Sequence, residues 1–241
     1  IEYMCGIIGF TGRKPAKDIL IDGLERLEYR GYDSAGIALL NDDDTLTIRK
    51  KAGRVSELRE LCKDGEYSST CGIGHTRWAT HGGVTDANAH PHRCGNVALI
   101  HNGIIENYSD IIREYGLADK LVSETHSEVV AALLDTLYEG DPITAIRKVV
   151  KIIAGSFALC IMFADRPGII YAVRNVSPMV AAHSEEGSII ASDLTAIISF
   201  SKDYFVVPEY HILTMTEGGI KVEDLKGNEV RPQMLEITWD I

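Results

Sequence analysis

No stretch of this chain approaches the roughly 18 consecutive apolar residues that a membrane-crossing helix needs, so no such span is expected. Clusters of lysine or arginine are missing too. With 24 Lys+Arg against 35 Asp+Glu, the formal charge is −11, which argues against a nucleic-acid surface. Cys5, Cys62, Cys71, Cys94 and Cys160 are scattered, odd in number and contain no CxxC pair. That usage predicts free thiols in a reducing, cytoplasmic compartment, not a disulfide framework. The leading Ile1-Glu2-Tyr3-Met4 has neither the basic nor the apolar region of a secretion signal, so none is expected. Internal repeats, low-complexity tracts and linkers are also lacking. The 241 residues, 45% hydrophobic and 24% charged, therefore read most simply as one soluble domain.

What is present patterns as α+β. Ile19, Leu20, Leu24 and Leu27 share one stripe, which predicts a helix over 17–29. Further helices are expected at 55–62, 104–115, 127–137 and 143–153. Strands are expected at 5–11, 71–78 and 97–101, with a hairpin of 34–41 and 45–51 around Asn41-Asp42-Asp43-Asp44. Beyond 155 come seven close-spaced strands, at 156–164, 169–174, 179–183, 188–191, 203–207, 211–216 and 220–223. Such spacing is too short for parallel crossovers, so the sheets should be antiparallel, with helices packed on them. The final Ile237 to Ile241 has no polar tail, which reads as a cut from a longer chain.

Four segments concentrate reactive side chains: the start at Cys5, then 27–36, 75–82 and 101–107. Each falls where a strand ends or a helix begins, the usual place for functional loops. Cys5 is either a buried strand cysteine or a nucleophile. If Met4 is the start and is removed, Cys5 holds a thiol and an α-amine on one residue, its own nucleophile and its own base. As written, its nitrogen is an amide that takes no proton. Asn102-Gly103 reads as a plain turn or as two donors for a developing negative charge. Arg77 is a solvated surface residue or a fork for a carboxylate. Trp78 is a packed core ring or a site residue. His75, His81, His90, His92, Cys94 and His101 crowd together, but without CxxC…HxxxH or HExxH spacing. Pro91 between two of them points to a structural turn, and no metal site is expected.

The segments MCGIIGF, LEYRGYDSAGIA, HTRWATHG, NAHPH and HNGIIEN, in that order and spacing, resemble the glutaminase domains of the N-terminal-nucleophile (class II) glutamine amidotransferases. The resemblance runs from Met4 to about Asp240. It favours the branch that feeds a sugar phosphate. The phosphoribosylpyrophosphate branch typically reads RGQESAG and HVRYSTAG, where this chain has RGYDSAG and HTRWATHG. The resemblance implies a four-layer αββα sandwich, with two antiparallel sheets between helical layers. It further implies L-glutamine as substrate, a cysteine thioester, no cofactor, and a fused sugar-isomerase domain with a fructose 6-phosphate site that this chain lacks. A homodimer is implied for the full-length protein.

By position, the resemblance makes Cys5 the nucleophile, with its amine as base, and Asn102 and Gly103 the oxyanion hole. Arg77 becomes the clamp on the substrate α-carboxylate, Thr80 and His81 loop contacts to glutamine, and Trp78 the gate for ammonia. Arg30 matches an arginine near the nucleophile; its other reading is a structural partner for Asp33. Residues 5–241 form the glutaminase domain in this reading, and 1–4 a cloning remnant plus initiator methionine, or a propeptide. One position departs. The family's Ser-x-Thr-Asp-x-Glu is here Ser123-Glu124-Thr125-His126-Ser127-Glu128, so His126 replaces the aspartate that pairs with the α-ammonium. Thr125 and Glu128 form a capping-box pattern that puts His126 in a first helical turn, where a protonated imidazole is disfavoured. Weaker glutamine binding is expected unless Glu124 or Glu128 compensates. Two other readings stay open: a glutamine-binding module without turnover, and the phosphoribosyl-transferring relative.

Overall fold

Strict alternation of side chains on buried strands determines the architecture. The computed structural model describes residues 5–79 and 81–239. The chain runs through β1 (Gly6–Gly12), α1 (Ala16–Leu27), β2 (Ser34–Leu40), β3 (Leu46–Ala52) and α2 (Val55–Leu61). Next come β4 (Cys71–Arg77), β5 (His92–Cys94), β6 (Val97–Ile105), α3 (Tyr108–Tyr115), α4 (His126–Leu137) and α5 (Pro142–Ile152). Then follow β7 (Gly155–Phe163), β8 (Ile170–Asn175), β9 (Val180–Ser184) and β10 (Gly187–Ala191). β11 (Asp203–Val206), β12 (His211–Thr216), β13 (Gly219–Asp224) and β14 (Leu235–Glu236) complete it. They form an eight-stranded sheet, β14-β11-β9-β10-β1-β4-β2-β3, and a six-stranded one, β13-β12-β8-β7-β6-β5. The pairings are antiparallel, and among the close-spaced strands after residue 155 this is what the short spacings predicted.

On β6, Val97 and Leu99 join the core beneath α3, α4 and α5, while Ala98 and Ile100 enter the space between the sheets. Phe157, Leu159 and Ile161 of β7 take the helix side, and Ala158, Cys160 and Met162 the inner side. On β1, Ile7 joins the inter-sheet core and Ile8 and Phe10 the core under α1 and α2. The result is the helix–sheet–sheet–helix sandwich that the resemblance implied. All five cysteines are free. Among the described residues no helix is long and apolar enough to cross a membrane.

The structure corrects one boundary that matters for the site. The helix expected over 104–115 begins only at Tyr108, because β6 continues to Ile105 and pairs with β7 as far as Ile105↔Gly155. Asn102-Gly103 is therefore mid-strand, not a turn. β5 and β14 were not anticipated; at three and two residues they are too short to show alternation.

α1 lies close on β1 and β4 because glycines leave room for it. A Cβ at Gly74 would sit 3.2 Å from both Leu24 Cδ1 and Ile8 Cγ2. Leu24→Ala should cost about 2–5 kcal/mol by opening a cavity, and Gly74→Ala about 1–3 kcal/mol by overpacking. In the double variant the new methyl fills part of the cavity. Urea unfolding should then show a loss clearly smaller than the sum of the singles. Strict additivity would mean the two positions do not share this contact.

Candidate active site

β1 pairs on β4 with Gly6 opposite Thr76, and β2 on β4 with Ser34 opposite Arg77. Cys5 just before β1, Asp33 just before β2 and Arg77 at the end of β4 consequently meet at one end of these neighbouring interior strands. The end of β6 and the start of α4 close the other side. The pocket between them is lined by Cys5, Arg77, Trp78, His81, Gly103 and His126, with His90, His101, Thr125 and Ser127 buried in its wall.

Cys5 is half-buried, and its Sγ accepts the Trp78 N–H at 3.1 Å. Burial pushes the thiol up from its ordinary value. The Trp78 N–H pulls it down, Asp33 raises it and Arg77 lowers it, and the net shift is upward. Cys5 therefore rests as a thiol near neutral pH and needs a base before it can attack.

Asn102 is buried, donates from Nδ2 to the Cys5 carbonyl at 2.9 Å, and has Oδ1 2.9 Å from His75 Nε2. Gly103 has φ +121°, and a Cβ there would lie 2.2 Å from the Ser156 carbonyl oxygen. Only glycine lets this backbone face the pocket while pressed on β7.

Arg77 is not a solvated surface residue; it is 4% exposed. Its Nη1 donates to the Gly83 carbonyl at 3.0 Å, its Nη2 donates to the His81 carbonyl, and Asp33 lies 3.7 Å away. Asp33 also accepts the Ser34 hydroxyl and the Ala79 N–H. The loop is pinned from outside by Glu124, whose carboxylate accepts the Gly83 N–H at 3.0 Å and the Asn88 amide at 2.9 Å. Those two bonds hold the Glu124 carboxyl below its ordinary value. Asp33, Asn88 and Glu124 lie within the recognised segments, yet sequence reasoning gave none of them this bracing role.

His126 opens α4 as expected. Thr125 caps the helix by accepting the Glu128 N–H. Only half of the capping box forms, since the Glu128 carboxylate reaches past Thr125 to the N–H groups of Val122 and Ser123, each at 2.7 Å. The His126 ring stacks on Tyr108 at 3.7 Å and lies 4.5 Å from the His81 ring. Burial lowers its pKa, and His81 adds to that. Glu124 and Glu128 are committed to backbone N–H groups and to the Asn88 and Ser123 side chains, and do not line the pocket.

One expectation needs correction, and another cannot be placed. Of its two readings, Trp78 is not the core ring; it is 37% exposed at the pocket. Arg30 neither lines the pocket nor pairs with Asp33. Its guanidinium binds Asp193, which also accepts the Tyr29 hydroxyl at 2.9 Å, while Arg77 is the ion partner of Asp33. Thr80 and residues 1–4 lie outside the described residues.

Behind the pocket four histidines are buried in contact. His75 stacks on His90 at 4.0 Å, and His90 meets His92 edge-on at 4.7 Å. His92 bonds Thr125 Oγ1 at 2.8 Å and His101 bonds Ser127 Oγ at 2.9 Å. Among the described residues no group of His, Cys, Asp and Glu is arranged to hold a metal ion. Burial takes His75 down to about 3 and His101 to about 4, and holds His90 and His92 well below the ordinary value.

Sandwich and pocket together define a domain of the N-terminal-nucleophile architecture, with a cysteine at the head of its first strand. Residues 75–199 match the family model described as a glutamine amidotransferase domain, and the chain belongs to that family. It is 40% identical over 241 residues to the isomerizing glutamine–fructose-6-phosphate aminotransferase of Clostridium tetani, covering 98% of this chain and 39% of the relative. The enzyme of the same name from Fusobacterium nucleatum is 43% identical, over 98% of this chain and 40% of its own length. This chain thus spans about two fifths of those relatives. A glutamine phosphoribosylpyrophosphate amidotransferase from B. subtilis, complexed with ADP and GMP, superposes with a TM-score of 0.80 at 24% identity. That match covers 93% of this chain and 50% of the other, and at this identity it speaks for the fold alone.

The buried histidines make stability pH-dependent. Their folded pKa values lie below the 6.5 of an exposed imidazole, so the unfolded chain binds more protons below that pH. Stability is fully present above 6.5 and falls as pH drops towards about 4 and about 3, by about 1.4 kcal/mol per pH unit for each histidine. Urea midpoints should fall steeply between about pH 6.5 and 5, above the range of ordinary carboxylates. A flat profile there would contradict neutral buried rings.

Proposed function

We propose that this domain hydrolyses the side-chain amide of L-glutamine to glutamate and ammonia through a thioester on Cys5. The observation that carries the reading is that Cys5, Gly103 and buried Arg77 line one pocket, with the Asn102 amide bonded to the Cys5 carbonyl. Arg77 spends two donors on loop carbonyls, and the guanidinium has five, so a fork remains for the substrate α-carboxylate. The Cys5 thiol, raised by burial, needs a proton acceptor at hand. Its own α-amine, once residues 1–4 are removed, takes that proton and passes it to the departing ammonia. Sγ bonds to the amide carbon, the carbon–nitrogen bond breaks, and water hydrolyses the thioester. Asn102 Nδ2 and the Gly103 N–H receive the developing oxyanion. Trp78 borders the route by which ammonia leaves, His81 belongs to the loop over the substrate, and Thr80 is the further glutamine contact that the resemblance implies. His126 accepts a hydrogen bond from the α-ammonium without supplying charge. Arg30 is left to Asp193.

The relatives' shared name supports a wider reading. In a full-length cytoplasmic homodimer, ammonia passes to a sugar-isomerase domain and fructose 6-phosphate becomes glucosamine 6-phosphate. The RGYDSAG and HTRWATHG segments favour this over the phosphoribosyl-transferring relative. The separated domain should release free ammonia and make no amino sugar.

Intact mass paired with a glutaminase assay tests the amine. Glutamate release is expected only from a form that begins at Cys5; equal activity with residues 1–4 retained would assign another base. In the Cys5-initiated form, His126→Asp should lower the glutamine KM about tenfold, the roughly 1.5 kcal/mol of a charge-assisted hydrogen bond. An unchanged KM would remove His126 from the ammonium site.

A further inference from the structure

We propose that His75 is a positioning residue: it sets the direction of the Asn102 side-chain amide, so that the amide nitrogen and not the oxygen faces the nucleophile. The inference rests on the glutaminase reading above. An asparagine amide has nearly the same shape after a half-turn, so its hydrogen-bond partners alone choose which end points where. For the proposed chemistry the choice is decisive. Nδ2 towards Cys5 offers donors to a developing oxyanion, whereas Oδ1 there would repel it.

His75, on β4, is fully buried. Its Nε2 lies 3.1 Å from the His101 carbonyl oxygen and 2.9 Å from Asn102 Oδ1. A carbonyl oxygen only accepts, so Nε2 carries the proton and donates. A donor at that point selects Oδ1 of Asn102 and turns Nδ2 away, onto the Cys5 carbonyl at 2.9 Å. The other ring nitrogen agrees. Among the described residues His75 Nδ1 is buried without a hydrogen-bond partner, on a ring stacked at 4.0 Å on His90. A bare lone pair is tolerable there, while an N–H would be a buried donor left unmade. The opposite tautomer is thus penalised at both nitrogens, by the orphaned N–H and by a lone pair facing the His101 carbonyl. The burial that keeps the ring neutral protects the same arrangement from acid. His75 itself does not line the pocket, so it acts through Asn102.

The test uses the Cys5-initiated domain with His75→Leu and His75→Gln. His75→Leu should lower kcat with KM little changed, up to the roughly 10²–10³-fold of a lost oxyanion donor. His75→Gln, whose amide N–H can still reach Oδ1, should recover most of that loss; a general structural role would not favour glutamine. ¹⁵N spectra of the parent should show His75 as the Nε2–H tautomer, untitrated across neutral pH, and slowly exchanging Asn102 amide protons. An unchanged kcat in His75→Leu, or an Nδ1–H tautomer, would overturn the proposal. If His75→Leu does not fold, a glutamine variant as impaired as Asn102→Ala would overturn it. If the parent releases no glutamate, the glutaminase reading fails alone, and the tautomer and exchange data still decide the His75–Asn102 contact.

Discussion

The register of β1 against β4 is the constraint on which both fold and site depend. Both faces of β1 are buried, Ile7 in the inter-sheet core and Ile8 beneath α1. A one-residue slip would exchange them between cores of different shape and move every neighbour with them. Side chains lock the register further: the Gly6 N–H is held by Thr76 Oγ1 at 3.1 Å and the Ile7 N–H by Ser192 Oγ at 2.9 Å. The residue ahead of this strand is Cys5, so the packing of two isoleucines sets where the thiol meets the Trp78 N–H.

Around that thiol the structure keeps most groups uncharged. Burial raises the cysteine and lowers the histidines, and the rings take positions that leave them neutral. The exceptions are the buried Arg77 and its ion partner Asp33, the cation being compensated by two carbonyls and that carboxylate. Such a pocket draws an anionic group to one point while withholding a thiolate until a base acts. On the proposed reading attraction and reactivity are thereby separated, which keeps the thiol from being spent on passing electrophiles.

The sequence made some of this legible and concealed the rest for identifiable reasons. The helices carried clear stripes, and buried strands such as 156–164 showed as apolar runs, so helices packed on antiparallel sheet could be anticipated, while the four-layer order came from the resemblance. Cys5, Arg77 and Asn102 lay in recognisable segments. The strand setting of Asn102-Gly103 was hidden because that dipeptide locally favours a turn, and only pairing with β7 overrides it. Arg30 was misassigned because its partner Asp193 lies 163 residues away and leaves no local trace. The brace from Glu124 to Gly83 spans 41 residues and was invisible for the same reason.

Arg77 joins the loop to the ligand site. The guanidinium that would take a carboxylate also holds the carbonyls of His81 and Gly83, and Glu124 grips the Gly83 N–H from outside. The position of the loop and the aim of the clamp are therefore one arrangement with one set of hydrogen bonds. Whatever loosens the loop misdirects the guanidinium, and a carboxylate bound to the guanidinium orders the loop in return, as linkage requires. His126 belongs to the same unit, since its ring lies against His81 on one side and Tyr108 on the other. An aspartate at that position would bring charge but would not pair with Tyr108 as a flat ring does. If His126 meets the substrate ammonium as proposed, the histidine exchanges electrostatic attraction for a better-packed loop, and the two oppose each other at this position.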